Sequence, residues 1–223
     1  MNIGKYLMMA TLLNMLGCAV ENQGSATVAI CNCCQPQIVS DALIGYGDDG
    51  GEETEMCGCC CDSPIVLDIA GDGIQLTSWQ DGVMFDLNPA KPIDWLAWTA
   101  RGSDDAWLVL DNNEDVVITD GTELFGDITA QPRPPSGRKR NGFLALAQWD
   151  LNRDRIVDAN DDVFGELRAW QDRNHDGVSQ LDELRKLADI GITGLSVDYL
   201  EIHQSIGHGN LLRYSAEVYG ASG

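Results

Sequence analysis

The stretch Asp150–Glu183, DLNRDRIVDANDDVFGELRAWQDRNHDGVSQLDE, decides how this chain is read. Its two ends carry side-chain oxygens at regular spacing. Counted from Asp172, the residues Asp172, Asn174, Asp176, Gly177 and Glu183 fall at positions 1, 3, 5, 6 and 12 of an EF-hand loop. The Val178 carbonyl then stands at position 7, and Gln180, directly or through water, at position 9. Counted from Asp150, the residues Asp150, Asn152, Asp154, Asp158 and Asp161 take positions 1, 3, 5, 9 and 12, with the Ile156 carbonyl at 7. Calcium is a hard cation that takes several oxygens on a flexible frame, which such a loop supplies. Plainer roles exist for single residues. Asp161 can cap a helix, and Glu183 in a first helical turn is favoured by the helix dipole. Those roles do not explain two full spacings.

Each loop departs from the pattern in places. Arg155 occupies position 6, where Gly is usual for a left-handed turn, and Asp161 is a shorter last ligand than Glu. Ser179 replaces the usual apolar residue at position 8, which weakens the short bridge expected between paired loops. A third candidate lies upstream in DNNEDVVITDGTE: Asp111, Asn113, Asp115, the Val117 carbonyl and Glu123, the last one residue late. VLDIAGDG (Asp68, Asp72) and FDLNPAKP (Asp86, Asn88) each lack an acid, with Ala70 and Ala90 where ligands are wanted. Degraded or structural turns are expected there.

Around these loops the periodicity predicts an α+β fold, with short β-strands followed by EF-hand-like loop-helix units and a disulfide-rich amino-terminal segment. Five short strands are expected up to Asp111, in PIVLDI, GIQLTS, GVMFDL, DWLAWT and AWLVLD, with a hairpin turn at Asp81-Gly82. The Pro-rich basic run Gln131–Gly142 reads as a loop. Helical faces are expected at Phe143, Leu146 and Ala147, at Val163, Phe164, Leu167 and Trp170, and at Leu181, Leu184, Leu187 and Ala188. Trp149 and Trp170 would then each end a helix. LSVDYLEI and LLRYSAEV read as two strands joined across SIGHGN.

The chain has 223 residues, 35 acidic and 14 basic, for a net charge of -21. Such a surface repels nucleic acid and anionic lipid, so neither is expected as a partner. Residues 1–17 read as an export signal, with Lys5 before the apolar run Tyr6–Leu16, too short to span a bilayer. The run ends in Met15-Leu16-Gly17-Cys18, which resembles a bacterial lipobox and implies lipid on Cys18 and an outer-membrane or surface location, with plain secretion as the alternative. Residues 18–63 form a cysteine-rich acidic segment, with Cys31, Cys33 and Cys34 in one cluster and Cys57, Cys59, Cys60 and Cys61 in another. Disulfides between the clusters are expected in an exported protein, a soft-metal site being the alternative. Residues 64–223 are the folded domain.

The motifs PIVLDIAGDGI, GVMFDLN, LVLDNNEDVVITDGTELFGD, NGFLALAQWDLN and LRAWQDRNHDGVSQLDEL, in this order, resemble the calcium-binding module of RTX-type secreted bacterial proteins. The resemblance covers Pro64 to Leu200 and implies an α+β domain that folds on calcium. In the iron-regulated RTX proteins a similar module cuts an Asp-Pro bond before its first strand. Here that place reads Asp62-Ser63-Pro64, and the chain has no Asp-Pro dipeptide. The expectation is therefore a calcium-binding exported protein rather than an enzyme. Calcium-dependent self-processing and a dockerin-like docking module for an unidentified protein are the alternatives. His175, His203 and His208 lack catalytic spacing and are expected to be surface or packing residues.

Overall fold

A computed structural model describes residues 63–220, together with the backbone of three earlier strands, β1 (Lys5–Thr11), β2 (Cys18–Gln23) and β3 (Ala26–Cys31). The cysteine clusters with their expected disulfides, the Cys18 side chain and Asp62 lie outside the described residues. The chain divides into two compact units. Met15–Cys60 holds the antiparallel pair β2–β3, with Cys18 opposite Cys31 in register. The other unit, Met1–Asn14 with Cys61–Gly223, carries the candidate loops.

That unit is built on an eight-stranded antiparallel sheet. Its further strands are β4 (Ile65–Leu67), β7 (Ala106–Val109), β8 (Ile156–Asp158), β9 (Arg168–Trp170), β10 (Leu184–Lys186), β11 (Ile192–Ser205) and β12 (Leu211–Gly220). A separate ribbon pairs β5 (Val83–Phe85) with β6 (Asp94–Leu96). The sheet runs β10-β9-β7-β4-β1-β12-β11-β8. Thus part of the stretch read as an export signal forms β1, between β4 and β12.

Successive residues in a strand face opposite sides, so a strand covered on both faces is apolar throughout. That is why PIVL and AWLVL show no alternation. Ile65, Leu67, Ala106 and Leu108 enter one core with Phe143, Leu146, Val157 and Leu195. Val66, Trp107 and Val109 enter the other with Val83, Phe85, Leu96 and Trp98. In the second core Trp98 packs on Phe85, Trp107 and Trp170 at centroid distances of 5.3, 4.9 and 5.4 Å.

The α+β expectation of loop-helix units is overturned. Among the described residues the one α-helix is α1, Gly142–Leu146, capped by Asn141 through Leu144 N. Val163, Phe164, Leu167 and Trp170 do not share a helix. A single 3-10 turn covers Asp162–Gly165, and β9 follows. The segment is too short to hold a helix alone and has Gly165 inside it, while Trp170 gains partners on both sides, Trp107 and Leu184. Leu184 likewise belongs to β10, and Leu181, expected on a buried face, is 71% exposed. Trp149 ends a 3-10 turn after α1, and Trp170 ends a strand. Of the five early strands, GIQLTS makes only a bridge from Leu76 to Thr99, and the ribbon turn lies beyond Phe85 rather than at Asp81-Gly82. The long pair β11–β12 forms where LSVDYLEI and LLRYSAEV placed it.

Candidate metal-binding loops

All three loops wrap their backbone around the first aspartate in one pattern. Asp111 Oδ2 accepts from Val116 N at 2.8 Å, Asp150 Oδ2 from Arg155 N at 2.9 Å and Asp172 Oδ2 from Gly177 N at 2.9 Å. The other oxygen of each takes the N–H of the position-5 aspartate, Asp115, Asp154 or Asp176, at 3.2 Å. The asparagine oxygens of Asn113, Asn152 and Asn174 accept from that same N–H at 3.1, 2.9 and 3.1 Å. The position-5 carboxylates in turn accept from Val117, Ile156 and Val178 N at 2.9, 3.0 and 2.9 Å. To turn this tightly, positions 4 and 6 adopt positive φ: Glu114 and Val116 at 60° and 71°, Arg153 and Arg155 at 60° and 72°, His175 and Gly177 at 63° and 71°. Four of these six are residues for which the left-handed region is costly.

The final acid differs between loops. Glu183 is 3% exposed, and its Oε1 accepts from Arg173 N at 2.9 Å while Oε2 has no hydrogen-bond partner among the described residues. Glu123 is also 3% exposed; Thr119 N donates to Oε2 at 2.7 Å, and Oε1 likewise has no partner among the described residues. Its extra residue of spacing is absorbed by a 3-10 turn, Gly121–Glu123, that Asp120 caps through Thr122 N. Asp161 has both oxygens engaged, by Leu151 N at 2.8 Å and Asp158 N at 3.2 Å. Asp158 is occupied locally with Asn160 N, and Gln180 folds onto Asp176.

Two loops are closed by strands rather than helices. Gln171 N donates to Glu183 O at 3.0 Å beside the β9–β10 pair. Leu110 N donates to Glu123 O at 2.9 Å beside the Val109–Leu124 bridge. Loop 150–161 follows α1 and its 3-10 turn and leads into β8. The loop that faces 172–183 is therefore 111–123: Ile118 N donates to Ser179 Oγ at 2.7 Å. Loop 150–161 has no such contact, since its Val157 pairs with Leu195.

Loop 172–183 is also fastened to the aromatic core. Trp98 Nε1 donates to Asp172 Oδ2 at 2.8 Å, and the His175 ring lies between Thr99 O at 2.9 Å and Asp81 O at 2.7 Å. His175 thus packs, whereas His203 is exposed and meets Glu201 at 2.8 Å.

Carboxylate oxygens of Asp111, Asp115 and Glu123 lie within 4.8 Å of one another. Asp68, Asp72 and Asp104 form a second such set. Asp104 replaces the acid absent at Ala70, whose N–H donates to it. Spacing around Asp68 could not reveal a residue so distant in sequence; Ser103-Asp104-Asp105 before β7 was the available sign. Asp68 repeats the wrap, accepting from Gly71, Asp72 and Gly73 N. Asp105 beside it is 1% exposed, and burial pushes its carboxyl up to about 7 against the N–H of Gln75. FDLNPAKP gathers no comparable set among the described residues.

Of the three loops only 111–123 brings three carboxylates this close among the described residues; the acids of 172–183 and 150–161 are not so gathered, although a buried oxygen is left over at Glu183 as at Glu123. Loop 111–123 and the Asp68 turn thus offer oxygen-rich, anionic settings suited to a hard cation. Residues 65–223 match the family described as the SPM domain. The iron-regulated protein FrpA of Neisseria meningitidis serogroup C is 38% identical over 151 residues, which cover 67% of this chain and 13% of that protein.

Proposed function

The chain belongs to the SPM domain family, and from that premise we propose that it is a calcium-binding, non-catalytic module of an exported protein. Loop 172–183 would hold the ion through Asp172, Asn174, Asp176, the Val178 carbonyl, Gln180 and Glu183. Loop 111–123 would use Asp111, Asn113, Asp115, the Val117 carbonyl and Glu123. Loop 150–161 would use Asp150, Asn152, Asp154, the Ile156 carbonyl, Asp158 and Asp161. The observation that carries the reading is the pair of oxygens without a hydrogen-bond partner among the described residues, Glu123 Oε1 and Glu183 Oε2, on acids that are each 3% exposed. A buried carboxylate oxygen without a donor is costly, and a cation at the last ligand position answers it.

Bound calcium supplies charge neutralisation and a common centre for these oxygens. With a net charge of -21, the chain repels itself, so cation binding becomes folding free energy. Extracellular sites of this kind bind at roughly 10⁻⁴–10⁻³ M. Calorimetry with calcium should give saturable heat and a gain in melting temperature; Asp172→Ala with Glu183→Ala should remove part of both. No heat and no change in circular dichroism sinks the reading.

The absence of catalysis is supported by the Ser63-Pro64 link at the place of an Asp-Pro bond. Ser63 is 2% exposed, with its N–H on Asp127 Oδ1 at 3.1 Å. Incubation with calcium should leave one intact band on a gel; discrete fragments argue for self-processing. Export is proposed from the sequence of residues 1–18, whose removal would take β1 from between β4 and β12; no helix among the described residues is long and apolar enough to cross a membrane. Attachment would then come through lipid on Cys18, and a mature form without the acyl mass rules that anchor out.

A further inference from the structure

We infer that the sites at 111–123 and 172–183 bind cations as a coupled pair, joined by the Ser179 hydroxyl, while the site at 150–161 binds alone; this rests on the calcium reading above. Ile118 and Ser179 each stand at position 8 of their loop, counted from Asp111 and Asp172. Ile118 is 2% exposed and Ser179 6%. The Ser179 hydroxyl accepts from Ile118 N at 2.7 Å and donates to Ile118 O at 3.4 Å. One side chain thus satisfies both backbone groups of its opposite number, the task a two-bond strand bridge would otherwise perform.

The bridge sits beside ligands on both sides. Val117 and Val178, whose carbonyls are the position-7 ligands, directly precede Ile118 and Ser179. Thr119, directly after Ile118, donates its N–H and hydroxyl to the Glu123 carboxylate. If Glu123 and the Val117 carbonyl hold one cation, the Ile118 backbone between them would be fixed, and through it Ser179 and the Val178 carbonyl. The loop stems are neighbours as well: β7 leads into loop 111–123, β9 leads into loop 172–183, and the two strands pair through Trp107–Trp170 and Val109–Arg168. In loop 150–161 the same position is Val157, paired with Leu195 of β11, so its ion acts on a different part of the sheet. Ser179 is a positioning residue: it orders ligands without offering one.

Position-6 amides report each loop separately, because Val116, Arg155 and Gly177 each donate to the first aspartate of their own loop. The full chain is titrated with calcium alone while these three amides are followed by NMR. Val116 and Gly177 should move together and Arg155 on its own curve. Glu183→Gln should weaken the Val116 transition as well as the Gly177 one, by roughly 5- to 150-fold at the far site, the usual range of such coupling. Linkage is reciprocal, so Glu123→Gln should do the same to Gly177. Ser179→Ala should separate the two midpoints and abolish the cross-effect; Ser179→Thr, which keeps the hydroxyl, should restore it. A merely structural serine would lower the melting temperature without splitting the curves. A Val116 midpoint indifferent to Glu183→Gln, or coupling unchanged in Ser179→Ala, overturns the inference. If Ser179→Ala does not fold, the two glutamate variants decide alone. Independent midpoints defeat the coupling and leave calcium binding intact; no response at any amide defeats both.

Discussion

Loops 172–183 and 150–161 make the same hydrogen bonds around their first aspartate, yet the molecule holds them differently. The first is tied inward by Trp98 to Asp172, by His175 to two carbonyls, and by Ser179 to a neighbouring loop. Its Asp172 is 3% exposed. In the second, Arg153 and Arg155 are exposed where His175 is half-buried and Gly177 buried, and Arg155 meets Asp198 at 3.0 Å on the surface. A repeated ligand pattern thus fixes local shape, whereas stiffness and the cost of change come from what surrounds it. Sites on a rigid frame are preorganised, and sites at a surface must be ordered by the ion itself.

This contrast is sharpest for buried carboxylates. Asp172 receives N–H groups from Trp98, His175, Asp176 and Gly177, while Asp105, equally buried, receives one from Gln75. The Asp105 carboxyl is raised from 3.8 to about 7, so folding favours its neutral form. Its stabilising contribution is complete below the unfolded value and lost as pH rises through 7. Urea unfolding with chelator present should therefore find Asp105→Asn more stable than wild type above pH 7, on the order of a few kcal/mol, with the advantage gone below pH 4. Parallel pH profiles would contradict this.

Trp98→Phe should come next, costing about 2–3 kcal/mol from the lost donor and the smaller ring. It should weaken calcium binding at Gly177 and leave the Arg155 amide on its wild-type curve. If Arg155 shifts equally, the two loops are not held independently. Gly177→Ala should cost about 1–3 kcal/mol, since the position combines positive φ with a contact of 2.9 Å from an added Cβ to Met84 O. The matching change at the exposed loop, Arg155→Gly, should have the opposite sign and stabilise by about 1 kcal/mol. The Arg155–Asp198 pair it removes is exposed and contributes little. Thermal melts of both variants check the pair; a loss at both positions would mean that Arg155 carries weight through its side chain.

The tight Asp-x-Asn-x-Asp turns, the β11–β12 hairpin and the basic loop were legible because each rests on near neighbours in sequence. Position 6 was readable at Gly177, and the structure places Arg155 and Val116 in the same conformation despite their side chains. The partner of loop 172–183 was not readable, since Ile118 and Ser179 are joined only by tertiary packing. Nor was the fate of Val163–Trp170. Its helical stripe is real, but Gly165 weakens a short helix and the sheet offers Trp170 a place between Trp107 and Leu184. Asp104 escaped for a similar reason: it reaches the Asp68 turn only because Ala70 and β7 meet in space.

The strands that close the loops have a mechanical consequence. A helix leaving the last ligand is a lever arm: a small movement at the ion becomes a large swing at its far end. Here Glu183 is followed at once by β10, stitched to β9 through Leu184, Arg185 and Lys186. A pull on that glutamate is taken up along the sheet as tension, with no arm to throw. The architecture suits a rivet, which stiffens what it joins, better than a switch, which must move something to be felt.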